Sequence, residues 1–260
     1  MSIRDEAVLR ELNLYPLWVR RYPPSLHVAV AVQDTSVQPA LTIEAPNIQT
    51  PIEPNLSPSS PTEVKVSEQA ARKENHDNAD WPALKQQVRG CTACKLRATC
   101  TQTVFGVGDE KAEWLFVGEG PGADEDERGE PFVGQAGKLL DNMLAAIKLK
   151  RGRNVYIANV VKCRPPNNRT PEADEVAQCL PYLQRQVALI QPKIIVALGK
   201  TAACALLGHD ATLGSLRGKV HQYQGIPLII TYHPAYLLRS PAEKAKAWQD
   251  LCFAVTAQSA

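Results

Sequence analysis

The stretch Trp114-Leu-Phe-Val-Gly-Glu-Gly-Pro-Gly122 decides the fold. A short apolar run bounded by turn residues suits a buried strand, and the glycines after it let backbone come close to a ligand. Further apolar runs follow at Val155 to Val161, Ile194 to Leu198, Val220 to Tyr223 and Leu228 to Thr231. Helical spacing marks Gly137 to Ile147, Pro171 to Leu189 and Thr201 to Leu207, with Trp81 to Val88 ahead of the first strand and Ala242 to Val255 at the end. Pro171 suits a first helical turn, where a missing N–H costs nothing, and Pro181 is expected to kink or divide its helix. Alternating strands and helices predict an α/β fold, three-layer α/β/α, with a mainly parallel central sheet. In such folds the ligand site lies beyond the carboxyl ends of the strands.

Upstream the chain changes character. All fifteen glycines lie between Gly90 and Gly225, whereas nine of the twenty prolines fall in residues 1 to 80. Residues 1 to 80 carry 7 Lys/Arg against 11 Asp/Glu, and the remainder 22 against 16. The C-terminal part is therefore mildly basic, which permits a polyanionic partner. Residues 1–33 form a short N-terminal segment with helical potential over 5 to 14, a strand or docking segment at Val28 to Val32, and an aromatic, basic run from Leu14 to Tyr22. That run would dock on the remaining chain, on DNA or on a partner protein, or serve only as surface packing. Residues 34–78 read as a Pro-rich disordered linker, because such a stretch buries too little apolar area to offset about 1 to 2 kcal/mol of chain entropy per ordered residue. Residues 79–260 are the expected folded domain.

The N-terminus lacks a basic segment followed by an apolar core, and no apolar run approaches a membrane span, so a cytoplasmic protein without membrane contact is expected. In a reducing compartment seven cysteines do not form a disulfide framework. Cys91-Thr-Ala-Cys94 is a C-x2-C pair, and Cys163 and Cys179 make a second, wider pair. Together they suit zinc or an iron-sulfur cluster, between which spacing does not choose. Cys204 and Cys252 fit buried free thiols better, and Cys100 competes as a ligand.

Polar residues gather after the strand ends. Gly118, Gly120 and Ala123 satisfy a dinucleotide fingerprint formally, but that motif needs a helix to open at the glycines, and the next periodic helix begins near Gly137. Glu119 is a carboxylate in the glycine turn, Asn159 offers a donor and an acceptor suited to a base edge, and His233 stands at a strand end before a proline. Solvated acids and turn-capping side chains are the plain alternatives.

Taken together, Gly118-Glu-Gly-Pro-Gly122, Gly129-Glu-Pro-Phe-Val-Gly-Gln-Ala-Gly137, Asn159-Val-Val-Lys-Cys-Arg-Pro-Pro166, His233-Pro-Ala-Tyr-Leu-Leu-Arg239 and the cysteine pairs resemble the family 4 uracil-DNA glycosylases. The resemblance runs from about Val88 to Phe253. It implies an enzyme that flips uracil out of single- or double-stranded DNA and hydrolyses the N-glycosidic bond, leaving an abasic site, and that works as a monomer. It implies a 4Fe-4S cluster held by Cys91, Cys94, Cys163 and Cys179. By the same carry-over Phe132 stacks on uracil, Asn159 reads its O4/N3 edge, Glu125 crowds out the methyl of thymine, and Gly120 and Gly122 bring backbone to the base. His233 faces O2, and Glu119 activates water or stabilises the sugar cation. Arg164, Arg169, Tyr236 and Arg239 are the expected DNA contacts. The insertion that carries a covalently reacting histidine in some relatives is absent, so the product is released. A glycosylase for another deaminated base, or a non-catalytic iron-sulfur protein that binds nucleic acid, are the competing functions.

Overall fold

A computed structural model describes residues 78–258, so the expectations for residues 1–77 lie outside the described residues. In chain order the elements are α1 (Trp81–Arg89), β1 (Val107–Gly108), β2 (Trp114–Gly118), α2 (Ala123–Arg128), α3 (Gln135–Ala146), β3 (Val155–Asn159) and α4 (Ala173–Ile190). They continue with β4 (Ile194–Leu198), α5 (Lys200–Leu207), α6 (Leu213–Leu216), β5 (His221–Tyr223), β6 (Ile226–Thr231), α7 (Pro234–Arg239) and α8 (Lys244–Gln258).

The strands form one sheet of order β1-β3-β2-β4-β6-β5. Its four inner strands are parallel, and β1 and β5 pair antiparallel at the edges. From β2 the chain steps outward to β3 and then crosses back to β4, so a topological switch point lies at the centre of the sheet.

Every residue of β2, β3 and β4 is buried, as a strand covered on both faces requires. Alternate side chains feed two cores. Leu115, Val117, Tyr156, Ala158, Ile195 and Ala197 pack with Leu84 and Val88 of α1 and Leu183 and Val187 of α4. Trp114, Phe116, Val155, Ile157, Ile194 and Val196 pack with Leu140, Met143 and Leu144 of α3 and Leu251 of α8. The expected three layers are therefore present.

Two local expectations need correction. Helix α4 runs unbroken from Ala173 to Ile190 with Pro181 inside it. A proline there forfeits about 3 kcal/mol. Burial of Tyr182, Leu183, Val187 and Ile190 on the same helix outweighs that at about 1.5–3 kcal/mol for each large apolar side chain. Secondly, a six-residue helix, α2, does open directly after the glycine turn. The dinucleotide reading still fails, because the first turn of α2 carries Asp124, Glu125 and Asp126. Carboxylates there repel the pyrophosphate that such a site must hold. Asp126, only 4% exposed, accepts hydrogen bonds from the Thr101 and Gln102 amides at 3.0 and 3.3 Å, tying α2 to the segment behind the first cysteine pair.

Candidate active site

Strand register sets the site. Gly118 pairs with Asn159 across β2 and β3, and Leu198 with Thr231 across β4 and β6, so the residues that follow emerge along one edge. A cavity of about 440 Å³ opens there. Glu119, Gly120, Gly122, Glu125, Phe132, Asn159 and His233 line it, as do Arg169, Tyr236 and Arg239 at its rim. Arg164 does not line it and instead donates Nε–H to Asn168 Oδ1 at 2.7 Å.

Asn159 is 2% exposed, and its Oδ1 has no hydrogen-bond partner among the described residues. An orphaned buried acceptor costs about 1–3 kcal/mol, so an acceptor left open at a cavity wall fits a ligand that donates to it. Gly118 makes this arrangement feasible. A Cβ there would come within 2.4 Å of Asn159 Oδ1 and 2.6 Å of Phe132 Cζ. Phe132 itself is buried at φ +56°, with its ring centroid 5.5 Å from that of His233.

His233 caps α7: its Nδ1 accepts the Ala235 N–H at 3.1 Å. A neutral imidazole that accepts at Nδ1 carries its proton on Nε2. Burial, and then the positive charge of Arg239, push its pKa down to about 4, against a smaller upward pull from Glu125. The ring is thus neutral near pH 7 and presents one N–H donor.

The two cavity carboxylates differ. Glu119 Oε2 accepts the Thr201 hydroxyl at 2.5 Å, and Oε1 has no partner among the described residues. Glu125 is fully engaged: Oε2 accepts from Gly122 N–H at 3.0 Å, and Oε1 from Val133 and Gly134 N–H at 2.9 and 3.1 Å. It therefore forms a fixed wall between the glycine turn and the Phe132 loop. Arg169 is similarly committed, its guanidinium forked on the buried Glu175 carboxylate at 2.7 and 2.8 Å.

A second, smaller pocket lies under α1 and α4 and is lined by Cys91, Cys94, Cys163 and Cys179. Burial raises the Cys163 thiol pKa, with further upward pushes from Cys100 and the other cysteines. The Cys179 thiol is pushed up to about 12, chiefly by burial. Backbone N–H groups of Ala93 and Lys162 reach the sulfurs of Cys91 and Cys179 at 3.5 and 3.2 Å. Among the described residues no group of three or more Cys, His, Asp or Glu side chains has the geometry to hold a metal ion.

Known proteins place this architecture. Residues 105–252 match the family model described as the uracil DNA glycosylase superfamily. The chain belongs to that superfamily. It is 46% identical over 182 residues to a type-4 uracil-DNA glycosylase of Pyrobaculum aerophilum, covering 66% of this chain and 91% of the relative. It is 48% identical over 166 residues to the type-4 enzyme of Archaeoglobus fulgidus, covering 61% and 83%. The type-4 enzyme of Thermotoga maritima is 44% identical over 165 residues, covering 63% and 85%. The superfamily match includes both cavity walls and the second cysteine pair, while Cys91 and Cys94 precede it.

Two residues beside these sites carry no motif signal. Thr201 follows β4 as His233 follows β6, so strand order alone would have nominated it. Lys162 is 1% exposed, with Nζ on the Asn159 carbonyl at 2.8 Å and on Gln186 Oε1 at 2.6 Å. Its neighbour Cys163 was legible, but nothing in the sequence says that the lysine points inward.

Proposed function

We propose that the protein is a monofunctional DNA repair glycosylase that removes uracil from single- or double-stranded DNA and leaves an abasic site. The carrying observation is the buried, unpartnered Asn159 Oδ1 on the cavity wall beside the Phe132 ring. An extruded uracil offers an N3–H donor for that oxygen, an O4 acceptor for the Asn159 amide, and a flat face for Phe132. Glu125, pinned by three backbone amides, is a wall that a C5 methyl would strike. Gly120 and Gly122 keep the floor open to the base.

As the glycosidic bond lengthens, negative charge grows on uracil O2 and positive charge on the sugar. The neutral His233 Nε2–H donates to O2, an interaction stronger in the transition state than in the ground state. Glu119, oriented by Thr201, offers its free oxygen to a water or to the sugar cation. Arg164, Tyr236, Arg239 and the partly exposed Arg169 supply contacts to phosphate and neighbouring bases.

The donor set of the second pocket fits a 4Fe-4S cluster: four cysteines from two distant segments, apolar walls and amides aimed at sulfur. Cys91, Cys94, Cys163 and Cys179 would hold it. When bound, the group would supply iron-thiolate bonds that cross-link the segment after α1 to the segment after β3 and to α4. No residue of the uracil cavity is among its ligands.

Assay of an oligonucleotide panel bearing uracil, hypoxanthine, xanthine or thymine tests this reading. Uracil release by the wild type, lost in Asn159→Leu, is the expected result. Release of another base alone, or of none, would overturn it.

A further inference from the structure

The Phe132 backbone is in a conformation that non-glycine residues rarely hold, and the structure supplies an unusual clamp for it. Gly137, in the first turn of α3, lies so close that a Cβ there would strike the Phe132 carbonyl oxygen. The same carbonyl accepts a hydrogen bond from Arg151 Nη2 at 2.7 Å, and the preceding carbonyl, of Pro131, accepts from Nη1 at 2.8 Å. Arg151 Nε is fixed in turn by Asp141 Oδ1 of α3 at 2.9 Å. Two donors of one planar group, anchored through the third on Asp141, thus set two successive peptide planes, which a lysine ammonium, a flexible point charge, cannot do.

We propose that Arg151 is a positioning residue for base capture, holding the Phe132 peptide so that its ring stands ready at the cavity before uracil arrives. Arg151 is not among the residues lining the cavity. Its effect passes through Phe132, by sparing the ordering that a loose stacking loop would require on binding. The proposal rests on the uracil-excision reading above, in which Phe132 stacks on the base.

A double-mutant cycle tests it. The full chain and the variants Arg151→Met, Phe132→Ala and the pair are compared in single-turnover uracil release, with thermal melting to confirm folding at the assay temperature. Arg151→Met is expected to lower kcat/KM by about 10- to 100-fold, as a misplaced binding group does. In the Phe132→Ala background the same change should cost less than about threefold, because interacting groups are not additive. Arg151→Lys should recover only part of the loss, and replaces Arg151→Met in the cycle should that variant fail to fold.

A full loss in the Phe132→Ala background, or normal cleavage by Arg151→Met, overturns the proposal. A crystal structure of the Arg151 variant gives a readout independent of activity. Phe132 leaving its positive φ supports the clamp, and Phe132 unmoved refutes it. Should the wild type release no uracil, the functional reading fails, and that structure still decides whether Arg151 holds the ring.

Discussion

The two pockets share a strand and its continuation, and they are built on opposite rules. The cavity at the strand ends is roomy and keeps polar atoms in reserve: an orphan oxygen on Asn159 and a free oxygen on Glu119. The cysteine pocket is small, and burial holds the Cys163 and Cys179 thiols towards their neutral forms. A site that turns over substrate leaves hydrogen bonds unmade until the ligand comes. A site that holds a permanent group surrounds it with apolar walls. Lys162 lies between them, adjacent to Cys163 in sequence and bonded to the Asn159 carbonyl.

The largest effect expected separates the pockets cleanly. Glu119→Gln should lower single-turnover cleavage by about 10²- to 10⁴-fold while DNA affinity and visible absorption stay unchanged. Cleavage within a few-fold of wild type would remove Glu119 from the chemistry.

Cys179→Ser probes the other side. Wild-type protein should be brown, because iron bound to sulfur absorbs across the visible range, and the variant should be bleached and melt roughly 10 °C lower. Colourless wild-type protein holding one zinc would refute the cluster.

A change at Lys162 should blur the division. Lys162→Met leaves the Asn159 carbonyl and Gln186 Oε1 without their donor, at about 1–3 kcal/mol for each buried acceptor. Both cleavage and cluster retention should fall together, by activity assay and absorption ratio; loss of one alone would show the pockets to be independent.

The smallest effect is in pH. Because His233 is held neutral down to about 4, cleavage should vary by less than about threefold between pH 5.5 and 7.5 where an ordinary histidine would titrate. The sign for stability follows: as pH falls the unfolded chain takes up this proton first, near its ordinary value of about 6.5. Stability contributed by His233 is then present above that value, lost as pH falls towards about 4 and constant below. A rate inflection near pH 6.5 would contradict a capping histidine held neutral.

Strand positions were legible because burial on both faces leaves unmistakable apolar runs; Ile194 to Leu198 matches β4 end to end. Candidate residues at strand ends were legible by the same logic, since parallel strands share one carboxyl edge. Thr201 stands near such an end, but what it and Arg151 hold was not legible. Their partners lie 82 and 19 residues away, Glu119 and Phe132, and no periodicity encodes such meetings. Helix α2 escaped because its six residues, mostly charged, show no apolar stripe. Pro181 does not divide α4, because burial along the same helix opposes its local penalty.

Asp126 carries one more consequence. By gripping the Thr101 and Gln102 amides it ties the segment behind the first cysteine pair to α2, so the two are expected to open together. Those two protons should exchange with solvent at the slow pace of the core, and their exchange should quicken in Cys179→Ser if the cysteine pocket anchors that segment. Two amide signals would thus report whether the segment behind the first cysteine pair is still held against the helix that opens beside the uracil cavity.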